Sequence, residues 1–229
     1  MTSGLAAVLA SLSLALTGLA EREAAHAQVR PTPPPATDVP GPGRRGEFGG
    51  APIALPTKAP VAVGKPNDGR LMRGIRVPDE GPLFFTWDPV RERSPNRSWR
   101  RYGSARLLAT VDAVLKEYHR RNPNAPRVAI GDLSRSRGGG FGRRFGGLGH
   151  ASHQNGLDVD IYYPRKDRRE REPTRVSQID LRLAQDLVDL FVAEGARYVF
   201  VGPRTRLHGP PNVVQELVHH DDHLHVRVR

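Results

Sequence analysis

The chain has 229 residues, 38% of them hydrophobic, with 24 glycines and 21 prolines. This length and composition predict one folded domain with an attached Pro/Gly-rich segment. Because there is no cysteine, disulfides, thiolate zinc sites, iron–sulfur clusters and cysteine nucleophiles are excluded, and a metal site would need histidine and carboxylate ligands. The formal net charge of +11 indicates an anionic partner such as nucleic acid, a membrane surface or an anionic polymer.

The N-terminal residues have the pattern of an export signal. Residues 5–20 form an apolar run, and Ala25-His26-Ala27 is a small-x-small pattern typical of a signal-peptidase site. We therefore predict a signal peptide over residues 1–27 and no stable membrane span after its cleavage. Residues 28–69 hold ten of the 21 prolines, which predicts a leader or linker. The folded domain is then expected over residues 70–229.

Apolar periodicity predicts two helices. Residues 104–121 place their large apolar side chains on one helical face, with Ser104 as the N-cap and Asn122-Pro123-Asn124 as the end. A second helix is predicted to open at a Ser177-x-x-Asp180 capping box and to run to Glu194, with Gly195 as its stop.

Short apolar or alternating segments predict the strands. They lie at residues 82–87, 127–133, 157–163, 198–201 and 223–228. Together with the helices they predict an α+β fold, with an antiparallel or mixed sheet and helices on one side.

Six of the nine histidines fall in two short segments. The first segment holds His150 and His153, and the second holds His219, His220, His223 and His225. Period-2 alternation predicts that Asp158 and Asp160 share one face of their strand, and that His223 and His225 share one face of the last strand.

Two carboxylates on a buried strand are costly unless a cation pairs with them, and a divalent metal meets that need. The two strands can bring His153, Asp160 and one C-terminal histidine together. Two histidines and one carboxylate leave an open coordination position, as in catalytic zinc sites, where the pKa of bound water falls to about 7. The remaining histidines can serve as general base or as donors to a developing oxyanion.

A family resemblance follows from these motifs. Residues 149–161 (GHASHQNGLDVDI), with His220-x-x-His223-x-His225-Val-Arg, resemble the penicillin-insensitive murein endopeptidases, which are zinc metallopeptidases of the lysostaphin, D-Ala-D-Ala peptidase and hedgehog superfamily. Residues 131–134 and 63–71 match as well, and the resemblance covers about residues 63–229.

The resemblance implies a zinc ion held by His153, Asp160 and His225, with His150 as a further histidine near the metal. It implies that His223 is the catalytic partner, with His220 as a second candidate. The implied reaction is hydrolysis of peptide cross-links in peptidoglycan, such as the D-alanyl to meso-diaminopimelyl bond. The implied fold is a small central antiparallel sheet with flanking helices.

The basic charge suits the carboxylates and anionic polymers of a cell wall. Four arginines lie just before the first histidine segment, within the Gly/Arg-rich residues 134–149: Arg135, Arg137, Arg143 and Arg144. Each can pair with a substrate carboxylate as a bidentate fork, or belong to a solvated loop. We expect a periplasmic or extracellular protein whose partner is the peptidoglycan stem peptide.

Three alternatives compete with an endopeptidase. A D,D- or L,D-carboxypeptidase of the same superfamily would trim uncross-linked stems, and a non-catalytic cationic protein would only bind the wall. The Arg/Gly/Phe loop also has the composition of nucleic-acid-binding segments. The export signal and the presence of only two aromatics in that loop, Phe141 and Phe145, argue against a nucleic-acid partner.

Overall fold

A computed structural model describes residues 45–142 and 150–229. The predicted signal peptide, residues 28–44 of the predicted leader, and residues 143–149 lie outside these ranges. The described residues form two α-helices, one seven-stranded sheet and three two-stranded sheets. Neither of these helices has the length and hydropathy needed to cross a bilayer.

The helices are α1 (Ala105–Arg121) and α2 (Leu181–Ala193), with short 3₁₀ turns at Ser98–Arg100 and Val176–Gln178. The strands are β1 (Arg45–Phe48), β2 (Ala51–Ala54), β3 (Val61–Lys65), β4 (Asp68–Met72), β5 (Ile75–Arg76), β6 (Glu80–Gly81), β7 (Phe84–Thr86), β8 (Tyr102–Gly103), β9 (Val128–Ile130), β10 (Asp158–Tyr162), β11 (Tyr198–Val201), β12 (Val214–Glu216) and β13 (His223–Arg227). The five predicted strands are present as β7, β9, β10, β11 and β13, and β11 has the predicted bounds.

The main sheet has the order β12-β11-β13-β10-β9-β7-β6. β10 and β13 are antiparallel neighbours near its middle. The α+β class is confirmed, and the sheet is mixed, as the alternation of the strands allowed. The central strands β9, β10, β13 and β11 are antiparallel, but β7 pairs parallel with β9 and β11 pairs parallel with β12, so the sheet is not wholly antiparallel as the resemblance implied. Parallel pairing needs a long connection, and the chain between β7 and β9 supplies one that contains α1.

The hydrophobic core lies on one side of β10 and β13. The apolar face predicted for α1 is buried throughout, and the Ser104 hydroxyl accepts a hydrogen bond from the Leu107 amide at 3.2 Å, as an N-cap does. This face, the apolar face of α2 and the side chains of Val159, Ile161, Leu224 and Val226 belong to one cluster. Alternation therefore leaves the polar residues of β10 and β13 on the opposite side.

The second helix begins later than its predicted capping box. Its N-cap is Asp180, whose carboxylate accepts from the Leu183 amide at 3.1 Å, whereas Ser177 lies in the preceding 3₁₀ turn. Between them Ile179 is buried, extended and bridged to Arg165, and this extended residue prevents the helix from starting at Ser177. Gly195 follows the helix with φ of +74°, as the predicted stop requires.

Residues 45–69 are structured, although the composition assigned them to the leader. β1 and β2 form a hairpin through Gly49 and Gly50, both with positive φ, and β3 pairs with β4. Phe48 lies in the main core and packs edge-on against Phe84, with 5.0 Å between ring centroids. The high proline content and the small number of apolar residues in this segment did not predict a hairpin. The folded unit begins before residue 70.

Candidate metal centre and active site

Strand register brings the two histidine segments together. In the β10–β13 pair, Asp160 lies opposite His225, Tyr162 opposite His223, and Asp158 opposite Arg227. All three pairs are on the side of the sheet away from the core. The predicted sharing of faces is therefore observed, and it places carboxylates of one segment against imidazoles of the other.

His153 precedes β10 and is fully buried. Its backbone has φ of +66°, a left-handed conformation that is rare for residues other than glycine. The Asp158 carboxylate holds this turn, since Oδ2 accepts a hydrogen bond from the His153 amide at 3.0 Å. Nε2 of His153 lies 3.3 Å from Oδ1 of Asp160, yet neither ring nitrogen makes a hydrogen bond to any described residue.

Oδ1 of Asp160 is the point on which three imidazoles converge. It lies 3.3 Å from Nε2 of His153, 3.0 Å from Nδ1 of His225 and 3.9 Å from Nε2 of His223. Burial raises the pKa of this carboxyl, but the neighbouring histidines outweigh burial and hold the pKa well below its ordinary value. Asp160 is therefore ionised at neutral pH, as a metal ligand must be.

The two buried histidines of this face differ in charge. Burial lowers the pKa of His153, which favours the neutral ring. Burial also lowers the pKa of His225, but hydrogen bonds to Asp158 and Asp160 raise it to about 9. Arg227 adds a second positive charge, with Nε 2.6 Å from Oδ1 of Asp158. The carboxylates thus have cationic partners on β13.

His150 lies next to His153, with ring centroids 4.7 Å apart. One ligand atom from each of His150, His153 and Asp160 lies within 4.8 Å of the other two, the spacing of a possible metal group. His225 adjoins this group through Asp160. The structure therefore brings together all four residues expected at the metal, with His150 as close to His153 as His225 is.

A buried ion pair behind His150 was not recognised from the sequence as part of the site. Oδ2 of Asp132 lies 2.7 Å from Nε2 of His150, and the same carboxylate pairs with the Arg100 guanidinium. Asn96 donates to Oδ1 of Asp132 at 2.9 Å. The only feature of the sequence that could have indicated this ion pair is that Asp132 is a carboxylate within the apolar predicted strand 127–133. Asp158 was recognised from the sequence as a carboxylate on the polar face, but its contact with the His153 amide was not.

His223 and His220 lie at the more open edge of the site. Nδ1 of His223 is 2.7 Å from Oδ1 of Asp222, which leaves Nε2 directed toward Asp160. Burial lowers the pKa of His223, but Asp160 and Asp222 outweigh it and raise the pKa. The His220 ring lies 4.7 Å from that of His223, its Nδ1 donates to the Val218 carbonyl, and burial lowers its pKa. These placements suit proton transfer and hydrogen-bond donation.

The residues present fit a zinc ion. A fully buried imidazole with two unpartnered nitrogens among the described residues is costly unless something else is bound there. Its Nε2 lies 3.3 Å from a carboxylate oxygen of Asp160, which the rings of His225 and His223 also approach. Histidine nitrogen and carboxylate oxygen form a donor set that zinc prefers.

The arginines of the Gly/Arg-rich loop are only partly described. Nη1 of Arg135 donates to the Gly140 carbonyl at 2.9 Å, and Arg137 is exposed. Arg143 and Arg144 lie outside the described residues. A role for these arginines in pairing with substrate remains a prediction.

A family model described as penicillin-insensitive murein endopeptidase matches residues 62–192 of this chain. The match includes His150, His153 and Asp160 and ends before β13. The histidines of β13 lie outside the matched residues, and the pairing of β10 with β13 places them beside Asp160. A search of curated proteins returned no match to the chain.

Proposed function

We propose that the chain, which belongs to the penicillin-insensitive murein endopeptidase family, is an exported zinc metallopeptidase that cleaves D-alanyl–diaminopimelyl cross-links. Family membership carries the general activity, which is hydrolysis of peptidoglycan peptides. The observation that supports zinc chemistry most directly is the buried His153 ring, which lies against Asp160 without a hydrogen-bond partner among the described residues.

His153, Asp160 and His225 would hold the zinc, with His150 beside them. When bound there, zinc would polarise the scissile carbonyl and lower the pKa of water. Asp158 orders two of these residues, since it accepts from the His153 amide at 3.0 Å and lies 3.3 Å from Nε2 of His225. Such partners of the ligands tune affinity and orientation.

His223 is the candidate general base and acid. Asp222 engages its Nδ1, so Nε2 can take a proton from the attacking water and return it to the amine that leaves. The side chain keeps 16% of its surface exposed, whereas that of His153 is fully buried, so His223 can reach a substrate. The Nδ1–H of His220 donates to a backbone carbonyl, which leaves the lone pair on Nε2 of the neutral ring to take up a proton, so His220 is the second candidate for proton transfer.

Export and substrate class complete the proposal. The apolar run and small-x-small pattern of residues 1–27 support secretion to the periplasm or the outside of the cell. The net charge of +11 supports accumulation at an anionic wall.

The test is digestion of purified cross-linked muropeptides, followed by mass spectrometry. An endopeptidase converts dimers to monomers with addition of one water per bond. Loss of a terminal D-alanine alone would instead identify the carboxypeptidase. His223→Ala should abolish cleavage, while His208→Ala, in an exposed loop outside the site, should leave it unchanged. No cleavage of either substrate by the unmodified chain would overturn the proposal.

A further inference from the structure

A groove of about 530 Å³, a volume in the range of ligand-binding sites, runs along residues 91–101, and four arginines are among the residues that line it. We call it the arginine groove. We propose that it binds carboxylate groups of the substrate peptide at a distance from the bond that is cut. This inference rests on the proposed function and adds to it a substrate-binding subsite.

The arginine groove is built on a buried carboxylate. Asp88 is fully buried, and its Oδ1 accepts from the amides of Val90 at 3.0 Å and Arg91 at 3.2 Å. Its own amide donates to the Arg93 carbonyl at 2.8 Å, and its Oδ2 pairs with Nε of Arg97 at 2.6 Å. The turn that carries the arginines is therefore held by main-chain and side-chain bonds from one residue.

Four arginines line the groove, and they differ in availability. Arg97 pairs with Asp88, and Arg101 pairs with Asp79 at 2.5 Å, so carboxylates of the protein already offset both charges. Arg91 and Arg93 are exposed, and neither forms an ion pair with a carboxylate among residues 45–142 and 150–229. The guanidinium groups of Arg91 and Arg93 are therefore available to bind an anionic ligand.

Two contacts connect the arginine groove with the metal centre. Asn96 lines the groove and donates to Asp132, and the same carboxylate lies 2.7 Å from His150. The half-buried Trp99 ring lies 6.0 Å from the buried ring of Phe141, which lies 5.2 Å from that of His150. A row of aromatic contacts thus connects the groove with the candidate metal centre.

The ligand class follows from this chemistry. A guanidinium presents two parallel N–H donors that match a carboxylate. Stem peptides carry several carboxylates in addition to the cross-link, and an extended peptide can run from the groove past Trp99 and place its reacting bond near His153. The groove would then contribute to substrate binding more than to the chemical step.

The experiment compares Arg91→Gln/Arg93→Gln with Arg120→Gln/Arg121→Gln, which removes the same charge from the exposed end of α1. The substrate is a cross-linked muropeptide dimer, with free or amidated stem carboxylates. For the free acid we expect the groove variant to raise KM about tenfold with kcat nearly unchanged. The amidated dimer should bind equally to the groove variant and to the unmodified protein, and the α1 variant should resemble the unmodified protein throughout.

Calorimetry separates this inference from the proposed function. The probe is an uncross-linked stem tetrapeptide, whose binding can be measured whether or not the protein cleaves dimers. Weaker binding of the free acid by the groove variant supports the arginine groove even without cleavage. The inference would be overturned if the unmodified protein and the groove variant bound the free-acid peptide equally, or if neither bound it. It would also be overturned if the groove variant lost as much affinity for the amidated peptide as for the free acid, whatever the activity of the unmodified protein.

Discussion

Oδ1 of Asp160 lies 3.0 Å from Nδ1 of His225, although the two residues are 65 positions apart in the chain. They are direct partners across β10 and β13. One buried carboxylate oxygen therefore contacts imidazoles from both histidine segments, and its surroundings determine what a metal ion would displace and which substitutions should release it.

Substitution of the expected ligands should release the metal. We expect about one zinc per chain, and His153→Ala, Asp160→Ala and His225→Ala should each lose it, because each removes one of three protein ligands. His223→Ala should keep the zinc but lose activity, since Nδ1 of that histidine is engaged with Asp222. Elemental analysis of the purified variants measures this. Metal loss from His223→Ala would contradict the division between ligand and catalyst.

Zinc binding should be linked to protons through His225. Hydrogen bonds to Asp158 and Asp160 raise the pKa of His225 to about 9, so zinc must displace a proton near neutral pH. Calorimetry in buffers of different ionisation enthalpy should show that protons are released when zinc binds. The zinc affinity should rise as the pH increases toward about 9. In the metal-free protein the raised pKa stabilises the fold below about 6.5, and this contribution is lost as the pH rises through about 9. A pH-independent zinc affinity would contradict this account.

Asp158→Asn should weaken zinc binding without removing an expected ligand. The substitution loosens the turn at His153, which has φ of +66° and whose amide is bound by Asp158. We expect a tenfold to hundredfold loss of affinity, about the range seen for residues that orient ligands. Competition with a chelator measures it, and Asp189→Asn on the exposed face of α2 is the control. Unchanged affinity would show that His153 is held by other means.

Asp132→Asn should destabilise the fold. Arg100 and Asp132 are both fully buried, so the substitution removes the carboxylate charge that pairs with a buried guanidinium. We expect a loss of about 3–5 kcal/mol in the free energy of unfolding, measured with denaturant. Asp167→Asn breaks an ion pair with a carboxylate that is 41% exposed and should cost far less. If both variants lost a similar amount of free energy of unfolding, burial would not be what makes the Arg100–Asp132 pair costly to break.

Loss of the hydroxyl should affect the free energy of unfolding differently at two buried tyrosines. Oη of Tyr118 has no hydrogen-bond partner among the described residues, whereas that of Tyr163 donates to the His220 carbonyl at 3.2 Å. Tyr118→Phe should therefore leave the free energy of unfolding unchanged or raise it. Tyr163→Phe should lower it by about 1 kcal/mol.

The same tyrosines predict alkaline sensitivity. Burial raises the pKa of both phenols above the ordinary value of 10.0. Their contribution to stability is present below that pH and is lost as the pH rises, because the unfolded chain ionises first. Tyr118→Phe should make the decline above pH 10 less steep. An identical decline in the variant and the unmodified protein would show that Tyr118 titrates as freely in the fold as in the unfolded chain.

Local patterns predicted the elements that carry the site. The apolar spacing of residues 104–121 and the Ser104 cap predicted α1 correctly, because periodicity and capping act within a few residues. The choice between Ser177 and Asp180 as N-cap could not be made this way, since both residue types cap well and the extended, buried Ile179 decides between them. The hairpin at residues 45–54 was missed because its stability comes from Phe48 packing on a distant strand.

By itself, the sequence determined which chemistry is available: histidine and carboxylate without thiolate, on strands with one polar and one apolar face. Only the tertiary structure decided that His150, His153, Asp160 and His225 meet, and that Asp132, Arg100 and Asp158 surround them. Alternation reports which side of a strand a residue occupies, but not which strand lies beside it. That pairing follows from burial of α1, α2 and one face of the sheet in a common core, which brings together residues far apart in the chain.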